Sequence, residues 1–185
     1  MFRSLSLVPR LAPGQFYWTG RFFHATLVSD LGEDQMQFAI LRDVGVSPMD
    51  DDIARIARET RCIAMVGLST NELRPAWGVA RFLKSQRYRV IPVNPHYAGT
   101  EILDEPVYAT LGDIPSDIRV DMVDIFRRAE AVQSIVEEAM GKLPHLRTVW
   151  MQLGIFHDIA AAKARARGLT VIEDRCPKIE FPRFL

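Results

Sequence analysis

The stretch from Cys62 to Pro95 constrains this chain more than any other. A short apolar run, Cys62-Ile63-Ala64-Met65-Val66, stops at Gly67-Leu68-Ser69. A helical pattern opens at Pro75, and a second apolar run follows, Tyr88-Arg89-Val90-Ile91-Pro92-Val93-Asn94-Pro95. Short apolar runs bounded by turn residues suit buried strands, whereas Ala76, Val79, Ala80 and Leu83 recur at the spacing of one helix face. Strand, glycine turn, helix and strand in that order make a parallel βαβ unit. Gly67 stands where the chain leaves the first strand. There it can take positive φ and let a phosphate approach the backbone, with N–H groups of the following turn pointing at the anion.

The same alternation continues to the C-terminus. Ser47-Pro48 followed by Asp50-Asp51-Asp52 reads as a capped helix start with carboxylates on the positive end of the dipole, and Ile53, Ile56 and Ala57 give that helix one apolar face. The segment from Gly99 to Pro106 reads as a loop leading to a very short strand at Val107-Tyr108, and Leu111 to Pro115 as a further turn. Asp121 to Phe126 is a strand ending in Arg127-Arg128. Glu130 begins a helix with a core stripe of Val132, Ile135, Val136, Ala139 and Met140, ended by Gly141. A buried run from Arg147 to Leu153 closes at Gly154, an alanine-rich helix from His157 to Arg167 stops at Gly168, and a last strand spans Leu169 to Ile172. Strands alternating with helices imply an α/β fold, three layers deep, with a mostly parallel sheet covered on both faces.

Composition places this pattern in one domain with an extension. Of 185 residues, 48% are hydrophobic and 25% charged, an ordinary globular balance. Residues 1–46 stand apart, with scattered arginines, serines and aromatics. They are expected to be a poorly ordered extension, or a mitochondrial transit segment, ahead of a domain at 47–185. Lysine plus arginine and aspartate plus glutamate number 23 each, so no global field draws in nucleic acid or an anionic membrane. Two cysteines, Cys62 and Cys176, cannot make a disulfide framework and suit a reducing compartment, either the cytoplasm or, were residues 1–46 a transit segment, the mitochondrial matrix.

In such a sheet the ligand crevice lies outside the carboxyl ends of the strands, at the point where strand order reverses. Four segments qualify: Gly67 to Asn71, Asn94 to Tyr97, Phe126 to Arg128, and Gln152 to Phe156. Two features oppose a dinucleotide enzyme. The turn lacks G-x-G-x-x-G, and the second strand ends in Asn94 rather than in an acid that would hold a ribose hydroxyl. Arg74, Arg127 and Arg128 instead collect where several phosphates could be held, unless they pair with acids such as Asp104 and Asp124.

Six blocks then carry a family resemblance: Gly67-x-Ser69; Arg74-Pro75; Tyr88 to Pro95; Val123-Asp124-Ile125-Phe126-Arg127; Trp150-x-Gln152-Leu153-Gly154; and Asp174-Arg175-Cys176-x-x-x-Glu180. Together they resemble the small coenzyme A-binding proteins, which are similar to the nucleotide-binding domain of the succinyl-CoA synthetase alpha subunit. The resemblance covers residues 50 to 185 and implies a Rossmann-like fold that binds coenzyme A or an acyl-CoA. It implies that Gly67 and Ser69 face the diphosphate and that Asn94 and Pro95 face the adenosine end with its 3′-phosphate. Phe126 and Arg127 would serve the adenine pocket and a phosphate, with Gln152 and Gly154 along the pantetheine arm. Where the family commonly has a proline in the first loop, this chain has Leu73.

No intrinsic reaction is expected. Synthetase chemistry needs a phosphorylated histidine on a further domain, for which a chain ending at Leu185 has no room, and His24, His96, His145 and His157 show no metal-ligand spacing. Cys176 could act as a nucleophile or join the coenzyme's thiol if a neighbouring arginine lowered its pKa, against a purely structural thiol. Asp174 and Glu180 read as partners for arginine. Two other readings stand beside coenzyme A binding: an NAD(P)-dependent oxidoreductase on the same sheet, and a regulatory module with a vestigial nucleotide site. A homo-oligomer or a partner protein is compatible with any of them.

Overall fold

A computed structural model describes residues 48–185. The expectations for residues 1–46 and for Ser47 as a cap lie outside the described residues. Helix α1 (Pro48–Glu59) is followed by β1 (Cys62–Val66), α2 (Pro75–Ser85) and β2 (Arg89–Val93). After a 3-10 turn at Pro95–Tyr97 come two short strands, β3 (Glu101–Ile102) and β4 (Glu105–Pro106), and a second 3-10 turn at Leu111–Asp113. The rest of the chain forms β5 (Met122–Ile125), α3 (Ala129–Lys142), β6 (Thr148–Met151), α4 (Asp158–Ala166) and β7 (Thr170–Ile172). It closes with one turn of helix, α5 (Pro177–Glu180), and a 3-10 turn at Phe181–Arg183.

Five strands form one sheet in the order β2-β1-β5-β6-β7, every neighbouring pair parallel. Strand β1 sends its crossover outward to β2, after which the chain returns to build β5, β6 and β7 on the other side. The order therefore reverses between β1 and β5. Because crossovers share one hand, reversal of direction puts the helices of the two halves on opposite faces. One face carries α3 and α4, through Val132, Val136, Ala139, Ala160, Ala161 and Ala164. The other carries α1, α2 and the C-terminal turns, through Ile53, Ile56, Val79, Leu83 and Phe181. The result is a three-layer, Rossmann-like α/β fold.

The C-terminal segment adds to the second face in a way the apolar spacing did not announce. Phe181 is fully buried, edge-on to Trp150 and tilted against Tyr88, with ring centroids 5.5 Å apart in both pairs. Arg183 bonds Asp50 of the acidic run in α1 (3.1 Å), so those carboxylates also anchor the chain's end. Further differences from the sequence reading are local. The presumed loop from Gly99 to Pro106 is an antiparallel hairpin whose turn residues, Leu103 and Asp104, take φ of 54° and 61°. Primed hairpin turns need that conformation and usually signal it with glycine or asparagine, so Leu-Asp hid it. Tyr108 does meet the sheet, as a single parallel bridge to Val93. Gly141 lies inside α3, which runs on to Lys142.

Candidate functional site

The site is built at the reversal between β1 and β5. Gly67, at φ +99°, donates its N–H to Val93 O (2.9 Å), and Phe126 donates to Val66 O (2.9 Å), so the ends of β2, β1 and β5 are tied together at one level. A Cβ at Gly67 would stand 2.5 Å from Phe126 O and 3.1 Å from Cδ of Arg127. Only a residue without a side chain fits that seam. Beyond it the N–H groups of Ser69 and Thr70 have no acceptor among the described residues.

Asn94 fixes the other wall. It follows β2, is 6% exposed, donates from Nδ2 to Leu68 O (2.8 Å) and accepts at Oδ1 from the His96 N–H (3.1 Å). Its amide therefore caps the 3-10 turn and holds the β1 loop at once. The strand ends one residue earlier than the sequence reading had it, because Asn94 turns its own N–H to Tyr108 O (2.8 Å).

Between these walls lies a cavity of about 570 Å³, within the range usual for small-molecule sites. Gly67, Ser69, Arg74, Asn94, Phe126 and Arg127 of the expected set line it, together with Arg128, Asn71, His96 and Tyr97 from the expected segments. Arg74, Arg127 and Arg128 are exposed, and none makes an ion pair among the described residues. The acids weighed as their partners are taken elsewhere: Asp104 by Lys84 (2.5 Å) and Asp124 by the Gln152 amide. Ser69 Oγ, also lining the cavity, is buried without a hydrogen-bond partner among the described residues. Three guanidiniums and a hydroxyl without partners among the described residues, with the open Ser69 N–H beside them, form a donor set matched to phosphate oxygens.

Pro95, Gln152 and Gly154 do not line the cavity. Pro95 starts the 3-10 turn and is exposed, while Gly154 takes φ +74° in the β6–α4 connection and donates its N–H to Asp174 Oδ1 (2.7 Å). Asp174 thus serves a backbone turn, not an arginine. Glu180 does pair with arginines, Arg183 (2.7 Å) and Arg175 (3.4 Å). Two further residues, Glu130 and Ala131 of the first turn of α3, line the cavity unforeseen. The available signal was the short gap between the end of β5 and the helix start, which places that turn at the crevice.

Asp124, two residues before Phe126 in the central strand β5, is fully buried, with Met65 and Trp150 beside it in register. Gln152 Nε2 donates to its Oδ1 (2.8 Å), and Oδ2 has no partner among the described residues. Burial pushes this carboxyl up to about 7, partly offset by the Gln152 hydrogen bond. Burial also raises the Cys176 thiol, and the nearby Asp124 charge adds to that, against the lowering effect of the Lys178 and Ile179 N–H groups. The activation by a neighbouring arginine considered for Cys176 is therefore reversed: a buried thiol of raised pKa is a poor nucleophile. Among the described residues no group of three His, Cys, Asp or Glu side chains could hold a metal ion, and no helix is long and apolar enough to cross a membrane.

The chain is similar to several known proteins. A family model described as a CoA binding domain matches residues 61–182. The chain is 31% identical over 133 residues to the uncharacterized protein YneT of Bacillus subtilis, covering 72% of this chain and 94% of that one. A hypothetical protein from Pyrococcus horikoshii OT3 superposes with a TM-score of 0.68 at 33% identity, covering 76% of this chain and 93% of that chain. The Thermus thermophilus protein called cell-free ID.343 gives 0.68 at 32% identity over 74% of this chain and 98% of that chain.

Proposed function

Because this chain belongs to the CoA-binding domain family, we propose that it binds coenzyme A, or an acyl-CoA, in the crevice between β1 and β5, without carrying out a reaction of its own. The observation that carries this reading is the set of three unpaired arginines, Arg74, Arg127 and Arg128, converging on one cavity with the unpartnered Ser69 hydroxyl. Coenzyme A offers a diphosphate and a 3′-phosphate. Gly67 permits the diphosphate a close backbone approach, Ser69 supplies neutral donors through its Oγ and its N–H, and the guanidiniums balance the charge. Phe126, half-buried beside them, offers a ring for the base. A binding role without catalysis is supported by the state of Cys176, whose thiol is buried and held in its protonated form. On this reading the chain holds the coenzyme without transforming it.

Calorimetric titration with coenzyme A, NAD and NADP side by side tests the reading. Coenzyme A should bind tightest, and Arg127→Ala should weaken it by about 1.5–3 kcal/mol, the usual worth of a charge-assisted hydrogen bond. Preference for either dinucleotide, or no loss on removing Arg127, would overturn it.

A further inference from the structure

The cavity that gathers three arginines also presents a carboxylate, Glu130. For a site that holds only phosphates this is counterproductive, since a like charge facing a polyanion lowers affinity. Glu130 is exposed and makes no ion pair or hydrogen bond among the described residues, although Arg74, Arg127 and Arg128 line the same space. The positive end of α3 stabilises an acid in its first turn, but that effect calls for a charge near the helix start and not for one on the cavity wall. Nor does Glu130 reach back to cap the helix, whose N-cap, Arg128, has no side-chain cap bond.

We infer that Glu130 is a specificity-determining residue of the cavity, its carboxylate accepting a hydrogen bond from a donor on the nucleoside part of the ligand: the exocyclic amine of adenine or a ribose hydroxyl. This rests on the coenzyme A reading given above. Phosphate oxygens only accept, and so does an ionised carboxylate, so the group that meets Glu130 must be one of the ligand's donors. Coenzyme A carries donors on its pantetheine arm as well as on its base and ribose, and it is the aromatic surface beside Glu130 that selects the nucleoside end. Phe126 and Glu130 stand on one short segment running from the end of β5 into α3, so a ring for stacking and an acceptor for edge recognition come from the same loop. That pairing is the usual way a protein reads an unpaired base. Ser69 Oγ, 7% exposed and without a partner among the described residues, independently marks the cavity as one that completes its hydrogen bonds with a ligand.

The test uses the full chain, wild type and Glu130→Ala, titrated with coenzyme A and two analogues. One carries hypoxanthine in place of adenine, which replaces the exocyclic amine by a carbonyl; the other carries 2′-deoxyribose. Wild type should bind one analogue at least tenfold more weakly than coenzyme A, and the identity of that analogue names the donor. Glu130→Ala should no longer separate coenzyme A from that analogue, whatever its absolute affinity. Glu130→Gln, which keeps an acceptor oxygen without the charge, should recover part of the discrimination. The inference is overturned if wild type discriminates against neither analogue, or if Glu130→Ala discriminates as wild type does, in which case the carboxylate only repels phosphate. Failure of wild type to bind coenzyme A at all is a different result, since it removes the functional reading itself.

Discussion

Replacing Asp124 by asparagine should change how the stability of this protein depends on pH. The carboxyl is fully buried and titrates at about 7 in the folded chain, against roughly 3.9 when unfolded. At about 1.4 kcal/mol per pH unit, the difference amounts to roughly 4 kcal/mol. The sign follows from proton uptake. Between the two values the native chain keeps a proton that the unfolded chain has released, so unfolding liberates it and stability falls as pH rises. The contribution is fully present below about pH 4 and is lost as pH passes through 7. Asparagine keeps an oxygen to accept from Gln152 Nε2 and cannot ionise. Urea denaturation of both proteins at pH 5, 6, 7 and 8 isolates the effect, because every other titrating group cancels in the difference. The variant should gain on the wild type by roughly 2 kcal/mol between pH 5 and pH 7 and by little more above it. A gap that stays constant across the series would refute the account of Asp124 as a protonated buried acid.

The seam at Gly67 predicts that Gly67→Ala costs stability and binding together: positive φ alone is worth about 1–3 kcal/mol, and Phe126 O must move away from the new methyl group. A variant with unchanged melting temperature and coenzyme A affinity would show that the two loops are looser than drawn. Asn94→Ala removes both bonds of the bridging amide and should lower stability by about 1–3 kcal/mol, while Asn94→Asp, which turns an oxygen toward Leu68 O, should cost at least as much. Both should weaken coenzyme A and its 3′-dephospho form alike; a loss confined to coenzyme A would mean that Asn94 reads the 3′-phosphate directly.

The alternation of short apolar runs with one-faced helices made the sheet and its layers legible, because burial on both sides leaves few other solutions for runs such as Cys62–Val66. Arg127 and Arg128 were legible for a related reason, since they follow closely on the end of β5 and strand ends converge, while Arg74 was legible from its place just before the helix that follows β1. What stayed hidden depended on conformations or partners without a local mark. The hairpin turn at Leu103-Asp104 uses positive φ without glycine, and Phe181 reaches the core from a segment too short to show a period. Asn94 was readable as a residue at the crevice, yet its commitment to Leu68 O and His96 N is a tertiary fact. Asp124 did carry a signal, an acid inside the apolar run Met122 to Phe126, where no face of a doubly covered strand meets water.

The strand order has a mechanical consequence. Strands β1 and β5 lie side by side, but the chain reaches one from the other only by way of β2, the hairpin and the second 3-10 turn, so the middle of the sheet is a seam between two separately wound halves. Loops from both halves wall the cavity at the top of that seam. On the proposed reading, a ligand gripped by Ser69 and Arg74 on one side and by Arg127 on the other would be a removable rivet across it, adding a link where the backbone supplies the longest detour. Heat, denaturant or force that pries the halves apart would then have to pull the rivet first, and the concentration of free ligand would set how firmly the sheet is closed.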